Sequence, residues 1–83
     1  MKLPIIRHLQ KNNSREELQN TAHVLESFTE HRSVKDTEMD VVGELLTNLY
    51  GAIEVHQLME NQNLTQIEAA NAFAKKVMSS IDR

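Results

Sequence analysis

The stretch ELLTNLYGAIEVHQLME, Glu44 to Glu60, decides the fold of this chain. Set at 100° per residue, its apolar side chains and those just before it gather on one side of a helix. Val41, Val42, Leu45, Leu46, Leu49, Tyr50, Ala52, Ile53 and Met59 span an arc of about 180°, which Met39 and Val55 widen to about 220°. A helix that packs on a single neighbour needs only about half of that arc. This one is expected to be central, touched from two or three sides. It should run from about Asp36 to Glu60, roughly 24 residues or about 36 Å, and close at Asn61-Gln62-Asn63.

Working toward the amino terminus, Ser33 with Asp36 is a candidate cap after a break at His31-Arg32-Ser33. Ser14 and Glu17 form a capping box that opens a helix reaching about Thr29, with Leu18, Ala22, Leu25 and Thr29 on its apolar side and Phe28 beside them. Pro4 suits the first position of a short helix carrying Ile5, Ile6 and Leu9. That helix should stop at Lys11-Asn12-Asn13, where asparagine tolerates a left-handed turn. Toward the carboxyl terminus, Thr65 and Glu68 form another capping box, preceded by Leu64 in the place of a hydrophobic staple. Ile67, Ala70, Ala74, Val77, Met78 and Ile81 then form a stripe with Phe73 at its edge. The expected fold is all-α: a small four-helix bundle in one helical domain, residues 1–83.

Composition agrees. The 83 residues include two glycines, one proline and no cysteine, which favours helix and removes both disulfides and thiolate metal sites. No apolar run approaches the roughly 18 residues of a membrane span. The opening MKLPIIRHLQ lacks the features of a secretory leader, so a cytoplasmic location is expected. Net charge is −3, unevenly spread. Lys2, Arg7, Lys11 and Arg15 stand among the first fifteen residues without an acid, whereas residues 16–74 are strongly acidic. The basic end either pairs with acidic neighbours in the bundle or meets an anionic partner. An acidic chain with few aromatics is a poor nucleic-acid binder.

No catalytic, cofactor or metal site is legible. His23, Glu26 and Glu30 share a helix face, but that face opposes Leu18 and Leu25 and reads as solvated. Glu54-Val55-His56 has the wrong spacing for a carboxylate–histidine metal pair. Residues 64–70 look like the opening of a helix-turn-helix, yet the stripe runs on through Phe73 and Val77 without a recognition helix. MKLPIIRHLQK is basic and amphipathic, and packing on the bundle is its expected role. The expected protein is not an enzyme.

His56 lies within the apolar arc, between Leu45 and Leu49. It is either a core histidine held by a carbonyl, side chain or water, or an interface residue facing a second copy or Glu60. Gly43 and Gly51, on the helix's other side, are expected to admit close approach of another backbone rather than to be mere weak points. The short flanking helices can barely cover the central one, so a homodimer through Leu45, Leu49, Ala52, His56 and Met59 is expected. A regulatory nucleic-acid-binding module using the basic terminal helices is the alternative.

MKLPIIRHL, MDVVGELLTNLYGAIEVHQLM and EAANAFAKKVMSSID together resemble a family of short bacterial proteins of unknown function, mostly from the Bacteroidota. The likeness covers nearly the whole chain, with the central and carboxyl-terminal segments the specific parts. It implies a small cytoplasmic helical protein and carries over no activity, cofactor or catalytic residue.

Overall fold

The structure is a computed structural model that describes residues 1–81, with side chains through residue 79. It contains α1 (Leu3–Asn12), α2 (Arg15–Thr29), α3 (Asp36–Gln62) and α4 (Gln66–Ile81). The described residues form an all-helical four-helix bundle, as expected. The hub is α3. It packs against each of the other three, α1 also touches α4, and no comparable contact joins α2 to α1 or α4.

Local chemistry sets most helix ends. The Glu17 N–H donates to Ser14 Oγ at 3.1 Å, and the Ser14 N–H donates to Glu17 Oε1 at 2.9 Å. Thr65 and Glu68 repeat the arrangement at 3.2 and 2.9 Å, and Leu64 is half-buried against the core. At α3 the expected cap moves from Ser33 to Lys35, whose N–H donates to Glu38 Oε1 at 2.9 Å. Ser33 instead gives its N–H to His31 Nδ1 at 3.1 Å, inside the turn.

The asparagines divide their work differently from expectation. Asn13 ends α1 with extended backbone, φ −137°. Asn12 Nδ2 donates to the His8 carbonyl at 2.8 Å and Asn13 Nδ2 to the Leu9 carbonyl at 3.0 Å, so side chains satisfy the last turn. The left-handed asparagine is Asn63, φ 54°, which turns the chain from α3 into α4.

The core joins Ile6 of α1, Leu18 and Ala22 of α2, Leu49, Ala52, Ile53 and Val55 of α3, and Ala69 and Phe73 of α4. Phe73 is thus central rather than at the edge of its stripe. Ile67 and Met78 are 69% and 60% exposed; Ile81's side chain lies outside the described residues. The cause is Gly51. A β-carbon there would stand 2.7 Å from Ile6 Cδ1 and 3.2 Å from Phe73 Cζ. The missing side chain lets α1 and α4 meet over α3 and sets the rotation of α4. Side chains, not another backbone, fill the notch. Gly43, by contrast, is exposed with nothing near it, so the expected close approach fails there.

Candidate interaction surface

The surface of interest follows from how α1 and α2 are tied to α3. Both begin or end at the Asn13–Ser14 corner. There His56 Nε2 lies 2.8 Å from the Asn13 carbonyl oxygen, Arg15 is ion-paired with Glu60, and Gln10 Nε2 donates to Met59 Sδ at 3.4 Å. From that corner the two helices run back along α3. Buried Asn48 holds the far end of α1: its Oδ1 accepts the Lys2 N–H at 2.9 Å, while its Nδ2 donates to the Glu44 carbonyl at 3.0 Å. The short α1 therefore begins beside Asn48, and the first turns of α3 lie beyond it.

Between α1 and α2 lies an open apolar cleft of about 410 Å³. Ile5 and Leu9 form one wall, Thr21 and Leu25 the other, and Leu45 and Leu49 the floor, with Lys2 and Glu44 on the lip. Leu45 is 48% exposed. One turn earlier Val41 is 62% exposed and, with Phe28, Thr37, Glu38 and Val42, lines a second hollow at the α2–α3 corner. Val24 and Phe28 of α2 are exposed as well. Apart from Tyr50, the central helix keeps its apolar side chains covered over its second half, and it is bare over part of its first.

The residues expected at an interface divide accordingly. Leu45 lies in the open cleft, whereas Leu49 is buried beneath it and Ala52 is fully enclosed by the chain's own helices. His56 and Met59 are half-buried and engaged by Asn13 and Gln10. Glu60, the acid one turn from His56, turns to Arg15 instead. Ile5, Leu9, Leu25, Phe28 and Val41 were readable as apolar, but not as neighbours. The i, i+4 pair Ile5–Leu9, offset from the Ile6–Gln10 core face, was the available sign that α1 has two apolar edges.

The polar groups offer no assembled chemistry. Among the described residues no three His, Asp or Glu side chains come together as a metal site requires. His23, Glu26 and Glu30 are all exposed. Glu26 instead accepts a hydrogen bond from the Tyr50 phenol, which with partial burial and the carboxylate's charge raises the phenol's pKa above the ordinary value. Glu17 and Glu68 are held below the ordinary carboxylate range by the main-chain and side-chain hydrogen bonds of Ser14 and Thr65. Those shifts belong to helix caps. No helix among the described residues is long and apolar enough to cross a membrane.

Comparison with known proteins finds no match among curated proteins or solved structures. The profile of DUF6952 matches residues 1–82. The chain, a four-helix bundle with an open cleft above its central helix, belongs to this family of unknown function.

Proposed function

We propose that this is a non-enzymatic helical protein that self-associates as a homodimer and serves as a protein-interaction or accessory module. The observation that carries the reading is excess surface. The chain exposes 6047 Å²; a folded monomer of its mass, 9.5 kDa, is expected to expose about 5050 Å². The surplus, roughly 1000 Å², is comparable with the roughly 800 Å² that each partner loses in an ordinary specific interface. The shape agrees. The Cα radius of gyration is 13.8 Å, against about 12 Å for a compact domain of this length. The molecule is a slab of 42 × 31 × 18 Å, and Leu45 and Val41 lie bare upon it.

Sedimentation equilibrium over a wide range of concentration tests the reading. A dimer is expected. A clean monomer at tens of micromolar would refute it.

A regulatory nucleic-acid-binding role is the second reading. It is favoured by the packing of α1 beside α4, which brings two basic helices together. It requires retention of DNA or RNA on a filter that weakens steeply with salt, and absence of retention at low salt dismisses it.

A further inference from the structure

A twofold contact uses the same patch on both copies, so that patch must carry both projections and recesses. The uncovered part of this molecule sets recesses beside exposed apolar side chains. The recesses are the cleft between α1 and α2 and the hollow at the α2–α3 corner. Val41 and Leu45 of α3 stand one turn apart, with Phe28 of α2 beside the corner. Because the recesses adjoin along α3, an axis beside Leu45 would exchange them, laying each cleft over the other copy's corner.

The lips are compatible in charge. Lys2 borders the cleft and Glu38 borders the corner hollow, so the exchange sets opposite charges together twice. Glu44, the acid on the cleft lip, is within ion-pair distance of the Met1 amino group at 3.4 Å.

We infer that a second copy of this chain seats its Phe28–Val41 corner in the cleft lined by Ile5, Leu9, Leu25 and Leu45, with the twofold axis beside Leu45. This rests on the self-association proposed above and specifies its geometry. Each copy then completes the missing cover over the first half of the other's α3. The occupant is the chain itself because the two recesses and their exposed apolar side chains share one patch, and Lys2 at one recess and Glu38 at the other give a second copy the opposite charge at each.

The absence of cysteine from the chain makes the test direct. Leu45→Cys places one thiol beside the axis, and mild oxidation should link two copies through it, since paired α-carbons within about 7 Å suffice. Ile67→Cys, exposed on α4 and lining neither recess, should link far less. Val41→Glu should weaken dimerisation by at least about tenfold, while Ile67→Glu leaves it unchanged. Both changes are at exposed positions, and circular dichroism checks that both variants remain folded. A wild-type dimer that neither links through Leu45→Cys nor weakens with Val41→Glu overturns this geometry and leaves self-association standing. A wild-type monomer overturns both. Uptake of an apolar dye by a monomer, lost on Leu45→Glu, would assign the cleft to a small ligand instead.

Discussion

The imidazole of His56 joins the second half of the longest helix to the carbonyl oxygen of Asn13, 43 residues away in sequence, at 2.8 Å. A carbonyl oxygen only accepts, so the ring must present its proton on Nε2. The bond anchors the corner from which α1 and α2 leave along α3. His56→Ala should cost about 1–3 kcal/mol of unfolding free energy, because it leaves a partly buried carbonyl unpaired. Urea denaturation measures the loss. Amide exchange should quicken in α1 more than in α4, and uniform quickening would show that the bond does not specifically hold α1.

The two glycines of α3 should respond to alanine with opposite signs. Gly43→Ala meets open space and should gain up to about 1 kcal/mol of helix stability. Gly51→Ala drives a methyl group into fully buried Ile6 and into Phe73, and overpacking should cost about 1–3 kcal/mol. Ile6→Val removes the nearest atom, so the Gly51→Ala, Ile6→Val double variant should lose less than the two single losses together. Thermal melts of the four proteins suffice. Equal gains from both glycines would contradict the notch.

Two buried amides should also separate. Gln10 Oε1 has no hydrogen-bond partner, and Gln10→Leu should stabilise by about 1 kcal/mol by removing a buried unsatisfied acceptor. Asn48 uses both ends of its amide, and Asn48→Ala should destabilise by about 1–3 kcal/mol. Chemical denaturation of both variants gives the comparison; a destabilised Gln10→Leu would show that packing at that site outweighs the unmet bond.

Acid should weaken the caps. Glu17 and Glu68 have folded pKa values below their ordinary ones. Their contribution is therefore fully present above the unfolded glutamate value of about 4.3 and is lost as pH falls from there through the folded values. Stability measured from neutral pH downward should decline in that acid window. The Glu17→Gln, Glu68→Gln variant should show a shallower decline, and an unchanged slope would contradict the assignment.

Tyr50 is the chain's only tyrosine, so its ionisation is readable by ultraviolet absorbance. Glu26→Ala should bring the phenol's titration down toward the ordinary value by removing the acceptor and its charge. Because the folded pKa is raised, this contact's contribution is present below the unfolded tyrosine value of about 10 and is lost as pH rises through the folded value. No change in the titration on substitution would mean that Glu26 is not the partner.

Helix identity was legible because its causes are local. Ser14 and Thr65 act on N–H groups three residues away, and the apolar arc of α3 depends only on helical geometry. The breadth of that arc also foretold a central helix. The polar docking residues were not legible. Nothing in the neighbouring sequence marks Asn48 or Gln10 for burial, and only the docking of α1 on α3 makes one a clasp and leaves the other partly unsatisfied.

Local hydrogen bonding and helical periodicity, both written in neighbouring residues, determined from sequence alone that this chain makes four helices around one long axis. Which side of each helix faces inward depends on volumes brought together from distant segments. The absent side chain of Gly51 admits Ile6 and Phe73, and this contact turns Ile67 and Met78 outward against the pattern of their own helix. The reach of α1 to Asn48 and no farther likewise leaves Leu45 and Val41 open while enclosing Ala52. Hydrophobicity gives each of these residues the same tendency to be buried; only the three-dimensional arrangement decides which find cover within the fold.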